Sequence, residues 1–217
     1  FPIHYESTHL CKSMIEDFSP KNKKVLEIFC GSGFLGVYSA LMGAEEVHFS
    51  DNNARALTFS LLNWAINKEN FSQCKLRIIK SNVFEEIKEK EQYDLILANP
   101  PFEPAPEAIK DFYFTHSYGG NDGQEFLKDF VSKCHKYLSS DGYILGVDFS
   151  PGLPGKDANE TTFCLKKILN ENKANNKFDD PIIILLDNCN LTEFASRYIA
   201  LGIGIEGFQV WLNTMTK

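Results

Sequence analysis

Asn99-Pro100-Pro101-Phe102 stands directly after an apolar run of strand length, residues 93–98. Proline has no N–H for a strand ladder, so the proline pair ends the strand and leaves carbonyls unpaired at the carboxyl edge of a sheet. In open α/β sheets that edge is where ligands bind. Two acceptors converge there, the Asn99 side-chain oxygen and the Pro100 carbonyl, and together they match the two hydrogens of a planar NH2 group. The Phe102 ring is expected to pack on the flat face of such a group. An amide or aromatic-amine nitrogen is a poor nucleophile because its lone pair is delocalised. Two acceptors favour pyramidalisation and aim the lone pair, and orientation of this kind removes several kcal/mol of a barrier. Asn99, Pro100 and Phe102 are therefore the candidate catalytic residues. The plain alternative is a Pro-Pro turn that merely ends a strand.

A second constellation lies upstream. Residues 25–36, "VLEIFCGSGFLG", carry glycines at 31, 33 and 36, after one apolar run and before the next. Glycines here let the backbone turn tightly and approach a ligand, while a helix N-terminus offers free N–H groups. Asp51 follows at the end of the second apolar run, where a carboxylate accepts hydrogen bonds from both hydroxyls of a ribose. Gly31, Gly33 and Asp51 suit either a nicotinamide dinucleotide or S-adenosylmethionine (SAM). Glu27, four positions ahead of Gly31, favours the second, since a carboxylate near the loop attracts an ammonium group and opposes a pyrophosphate. The Asn-Pro-Pro-Phe segment, which hydride transfer does not need, favours it too. Asn82, in "IIKSNVFEEI", is either an acceptor for the adenine amino group or an ordinary turn and capping residue. Asp51 has its own plain reading as a helix cap before "NNARAL".

These residues need a scaffold, and the apolar pattern supplies one. Strands are predicted at residues 24–29, 46–50, 76–80, 93–98, 142–149, 182–187 and 208–213. Helices are predicted at 33–42, 53–67 and 122–138, the last opened by a capping box of Asp122 and Glu125. Strand–helix alternation with near-continuous apolar strands implies a parallel sheet covered by helices on both faces. The seventh strand, coming late, is expected to return antiparallel beside the sixth. Residues 151–180 read as an excursion holding a short helix near 160–169.

Composition narrows the functions. The chain has 217 residues, 43% of them hydrophobic, enough for one domain with a full core and no disulfide or metal support. No apolar run approaches the roughly 18 residues of a membrane span. The six cysteines form no C-x-x-C pair and have no histidine at ligand spacing, so no metal site is expected. With no signal-peptide pattern, reduced thiols in a cytoplasmic protein are expected. Net charge is −7, and residues 102–125 hold five acids against Lys110 alone, which argues against a phosphate-binding surface there.

With these segments placed, the chain resembles the class I SAM-dependent methyltransferases, specifically the "methyltransferase small" group with Asn-Pro-Pro-(Phe/Tyr). The resemblance runs over about residues 5–150: "HYEST", "EIFCGSG", "SDNN", "SNVFE", "LILANPPFEPAP" and "GGNDGQEFLKDF". Its stretch from 95 to 130 looks most like the HemK-type enzymes, which methylate the glutamine N5 of peptide release factors. The resemblance implies a doubly wound, seven-stranded, mostly parallel Rossmann-like methyltransferase fold in one domain over 1–217. Residues 1–22 would reach over the cofactor, 23–150 would form the core, and 151–217 would complete the sheet. It places the substrate amide on Asn99 and Pro100, and SAM on Glu27, Gly31, Gly33 and Asp51. The segment "YEST" resembles one that reaches over SAM, which puts Thr8 or Tyr5 at the cofactor.

The expected function is SAM-dependent N-methylation of a planar nitrogen, with a glutamine or asparagine amide of a protein as first acceptor. An exocyclic base amine of RNA or DNA is the second acceptor and a small metabolite the third. A nicotinamide oxidoreductase and a catalytically silent methyltransferase-fold subunit are the competing classes.

Overall fold

A computed structural model describes residues 5–150, 152–153, 162–175 and 195–215. They fall into two compact units, Phe1–Pro100 with Lys133–Val147, and Pro101–Ser132 with Asp148–Lys217.

The first unit is built on five parallel strands: β1 (Lys24–Ile28), β2 (Glu46–Asp51), β3 (Lys75–Lys80), β4 (Tyr93–Ala98) and β5 (Leu138–Gly146), in the order β3-β2-β1-β4-β5. Parallel neighbours need crossovers, and helices supply the first two. α2 (Phe34–Leu41) joins β1 to β2 and α3 (Ala54–Asn67) joins β2 to β3, each packing on the strands it connects. An N-terminal helix, α1 (Tyr5–Glu16), packs on α2 and β5. The central strands β1, β2 and β4 are covered on both faces, and Val25, Leu26, Val47, Phe49, Leu95, Ile96 and Leu97 have no exposed surface, whereas β3 and β5 at the edges are partly exposed. Phe49, Trp64 and Phe71 carry the core out beneath α3, with successive ring centroids 5.9 and 4.6 Å apart. The strand order reverses between β1 and β4, which makes their carboxyl ends the switch point of the sheet.

The second unit contains α4 (Glu125–Lys133), a two-stranded antiparallel pair of β6 (Gly152–Leu153) and β7 (Thr162–Phe163), and the helices α5 (Cys164–Ala174), α6 (Ala195–Tyr198) and α7 (Gly204–Met215). Its aromatic cluster joins Tyr113, Tyr118, Tyr198, Phe208 and Trp211. The Tyr198 hydroxyl donates to the Pro104 carbonyl, and the Trp211 indole N–H donates to the Asn121 carbonyl at 3.1 Å.

Several expectations are corrected. The parallel sheet has five strands rather than seven, and a last antiparallel strand beside it is not shown among the described residues. The predicted sixth strand, 182–187, lies outside the described residues. The predicted seventh, 208–213, is the body of α7. Its alternation of Phe208, Val210 and Leu212 imitates a strand, but Phe208 and Trp211, three positions apart, are the buried pair while Val210 is 66% exposed. The short helix predicted at 160–169 begins at Cys164 and runs on to Ala174. The capping box also fails: Asp122 accepts from the Gln124 N–H at 3.0 Å and pairs with Lys128 at 2.5 Å, while the Glu125 N–H goes to the Gly119 carbonyl.

Among the described residues no helix is long and apolar enough to cross a membrane. Cys11, Cys30, Cys74 and Cys134 are free thiols.

Candidate functional site

Between β1 and α2 the chain turns through left-handed geometry at Phe29, Gly31 and Gly33, with φ of 57°, 52° and 73°. A β-carbon at Gly33 would lie 2.7 Å from the Ser60 Cβ, and one at Gly36 would lie 2.3 Å from the Phe49 ring. The glycines therefore serve close packing of α2 and α3 onto the sheet as well as the turn.

Gly33, the residue preceding α2, has no side chain to satisfy the free N–H groups of the first turn. Glu27 does this from the neighbouring strand, accepting the Leu35 N–H at 3.2 Å and the Gly36 N–H at 2.7 Å. It is only 4% exposed. Burial pushes its carboxyl up to about 8, and the Asp51 charge adds to this, against the lowering effect of the two N–H groups. The Cys30 thiol is raised by burial first and by the Glu27 and Asp51 charges next, so it is no ready nucleophile.

Asp51 closes the other side of the loop. Its Oδ2 accepts the Gly31 N–H at 3.0 Å and its Oδ1 accepts the Asn53 N–H at 2.8 Å. Burial raises its carboxyl, with these N–H groups opposing. The side chain that caps α3 is Asn53, accepting from Arg55 at 2.9 Å. Asn63, which carries no sequence signal, donates from α3 to the Ser32 carbonyl at 2.9 Å and so steadies the loop.

Asn82 follows β3, where the neighbouring Ser81 N–H donates to the Asp51 carbonyl at 3.0 Å. The Asn82 side chain is exposed, and its amide nitrogen donates to Glu85 at 3.0 Å. Thr8 lies on an exposed part of α1.

Asn99 and Pro100 extend β4 past Ala98, the partner of Ile28 at the end of β1. The Asn99 amide nitrogen donates to the Ser7 hydroxyl of α1 at 3.1 Å. Glu27, Gly31, Gly33, Asp51, Asn82, Asn99 and Pro100 are thus all carried at or near the carboxyl ends of β1 to β4 within the first unit.

Phe102 belongs to the second unit. Gly119 and Gly123 press on its backbone, and a β-carbon at either would come within 2.7 and 2.5 Å of Phe102 atoms. In the same unit the fully buried Gln124 donates its amide to both Asp148 oxygens at 3.3 and 3.2 Å, and burial pushes the Asp148 carboxyl up to about 7. A cleft of about 260 Å³ opens between Phe112, Tyr113, Phe114, Ala200 and Leu201.

Residues 6–178 match the methyltransferase small domain. The chain belongs to this family. The methyltransferase small domain described here is 33% identical over 141 residues to a provisionally named protein N5-glutamine methyltransferase of Methanocaldococcus jannaschii, covering 64% of this chain and 66% of that one. It is 27% identical over 150 residues to the release factor glutamine methyltransferase of Clostridium botulinum, covering 62% and 50%. The chain thus spans less than two thirds of the length of these curated relatives. A T. thermophilus 16S rRNA methyltransferase solved with AdoMet and guanosine superposes with a TM-score of 0.52 at 21% identity, over 67% of this chain and 34% of that one. This likeness establishes the Rossmann-like methyltransferase fold.

Proposed function

We propose that this domain transfers a methyl group from SAM to a planar amide or amine nitrogen, with a glutamine or asparagine side chain of a protein as the favoured acceptor. The observation that carries the reading is the placement of Asn99-Pro100 at the end of β4, next to the strand that leads into the glycine loop.

The residues present fit SAM. Asp51 ties the loop at Gly31 while Glu27 holds the first turn of α2 behind it, and Asp51 offers a charged acceptor at the end of β2, where a ribose would lie. Glu27, bound to two backbone N–H groups, acts here as the brace that fixes the loop, and its negative charge when ionised favours a cationic ligand. Gly31 and Gly33 give the ligand access to the backbone. Asn82 and Thr8 are assigned to the rim of the same site. When bound, SAM supplies an electrophilic methyl group on a sulfonium.

The chain's own contribution is to hold the acceptor. Asn99 Oδ1 and the Pro100 carbonyl each take one hydrogen of the NH2 group. As the nitrogen gains positive character these two oxygens become stronger partners, so their effect is concentrated in the transition state.

The glutamine reading is supported by the two N5-glutamine relatives and by the acidic residues 102–125. A base amine is the second reading, supported by the rRNA methyltransferase that shares the fold. Incubation with methyl-labelled SAM and fractionated lysate separates them. Label entering protein and recovered as N5-methylglutamine supports the first, and label entering RNA or DNA replaces it with the second.

A further inference from the structure

We propose that Ser7 is a positioning residue for methyl transfer, holding the Asn99 carboxamide so that its oxygen, and not its NH2, meets the acceptor nitrogen. This rests on the two-acceptor reading of Asn99-Pro100.

A carboxamide is nearly symmetric in shape, and the torsion that turns it is broad and roughly two-fold. Turned by half a revolution, Asn99 would present a donor to an acceptor group that is itself a donor, and the grip would become a repulsion. An asparagine given this task therefore needs a fixed partner for its NH2. In the structure that partner is Ser7, whose Oγ accepts from Asn99 Nδ2 at 3.1 Å across 92 positions of sequence. With the nitrogen engaged there, Oδ1 is directed away from α1.

Ser7 is well placed to hold its post. Leu10 and Cys11, three and four positions on, enter the main apolar core, so Ser7 lies on the face by which α1 is anchored. It is 8% exposed, and a hydroxyl on such a face is usually there for the bond it makes. The neighbouring Thr8, one position around the helix, is exposed.

The test uses Ser7→Thr and Ser7→Val, two side chains of the same shape that differ in the hydroxyl. Each is made alone and with Asn99→Ala. Methyl transfer from labelled SAM to a glutamine-containing peptide is measured, with SAM affinity by calorimetry. The side-chain amide signal of Asn99 is followed by NMR in protein labelled at asparagine. Ser7→Val is expected to lower kcat about 10-fold, the effect of one hydrogen bond expressed in the transition state, with SAM affinity unchanged. Ser7→Thr is expected to restore the rate to within about threefold. In the Asn99→Ala background Ser7→Val is expected to cost nothing further. The Asn99 amide protons should exchange faster in Ser7→Val than in wild type or Ser7→Thr. Equal rates and equal amide exchange for Ser7→Val and Ser7→Thr, with Asn99→Ala still impaired, would overturn the role of Ser7 alone. A wild-type rate for Asn99→Ala would instead overturn the two-acceptor reading beneath it. Should the peptide accept no methyl, equal amide exchange in the two Ser7 variants suffices to reject the positioning role.

Discussion

Asp51 and Gly31, 20 positions apart, are joined by a bond of 3.0 Å from the Gly31 N–H to the carboxylate Oδ2. The other carboxylate oxygen takes the Asn53 N–H just ahead of α3. One side chain thus ties the glycine loop to the next helix and remains a charged acceptor at the ligand edge of the sheet. Asp51→Ala should weaken SAM binding by about 1.5–3 kcal/mol, the usual loss for charge-assisted hydrogen bonds. Asp51→Asn should lose less, because it keeps one acceptor. Calorimetric titration reads both, and unchanged affinity in Asp51→Ala would reduce the residue to a brace.

Glu27 predicts a pH signature. Its carboxyl is raised from 4.5 to about 8 in the folded protein, chiefly by burial. Between those values the folded state holds a proton that the unfolded state has released. Its favourable contribution is therefore complete below the unfolded pKa, falls as pH rises through the window, and is gone above the folded pKa. The slope is at most about 1.4 kcal/mol per pH unit. Glu27→Gln should flatten denaturant-derived stability between about pH 5 and about pH 8. Its stability should also be lower at every pH, since one oxygen cannot serve both N–H groups. A wild-type slope in Glu27→Gln would assign the pH dependence to other groups.

Two glycines should respond unequally to the same substitution. At Gly36 a β-carbon would meet Phe49 at 2.3 Å, Val47 at 2.8 Å and Glu27 at 2.9 Å, so Gly36→Ala should destabilise by about 1–3 kcal/mol. At Gly146, in β5, its nearest neighbour would be the Ala98 carbonyl at 3.5 Å. Gly146→Ala should fall within about 0.5 kcal/mol of wild type. Denaturant midpoints for the two variants decide it.

Salt separates the acceptors. Acceptor binding governed by residues 102–125, with their five acids and one lysine, should depend weakly on ionic strength. Binding that neutralises several phosphates loses affinity steeply, with a log–log slope near one per phosphate. Acceptor KM measured across a salt series should show the shallow slope, and a slope of several units would put nucleic acid first.

Asn99→Ala should lower kcat about 100-fold or more while SAM affinity stays near wild type. Phe102→Ala should raise acceptor KM, and Phe102→Tyr, which keeps the ring, should be tolerated. Steady-state kinetics with separate SAM titrations distinguish these effects from a general loss of folding.

Where sequence and structure agree, the signals are local. α2 and α3 fall within a residue of their predicted ends because periodic apolar residues, a glycine turn and the capping Asn53 all lie inside the element they define. The first four strands are legible for the same reason. α7 was not, because Phe208, Val210 and Leu212 alternate like a strand, and only the aromatic cluster selects the helical pair Phe208 and Trp211. Glu27 was legible as a carboxylate near the loop, but its two N–H partners depend on how α2 meets β1. The segment holding Ser7 was legible only as one near the cofactor, with Thr8 or Tyr5 in view, and nothing near Ser7 in sequence points to Asn99, 92 positions away.

The strand order carries a consequence for how the molecule comes together during synthesis. β1, β2 and β3 are consecutive neighbours, so the glycine loop and Asp51 are assembled from one unbroken stretch of sequence. β4 must travel back to the opposite edge of β1, pairing residues about 70 positions apart, as in the bond from the Lys24 N–H to Asp94. Closing the longer loop costs more chain entropy and awaits later residues, so it is the later event. A nascent chain therefore completes its donor side first. Ser7, 92 positions ahead of Asn99, meets its partner only once β4 has docked, so the grip on the acceptor is set after the donor side.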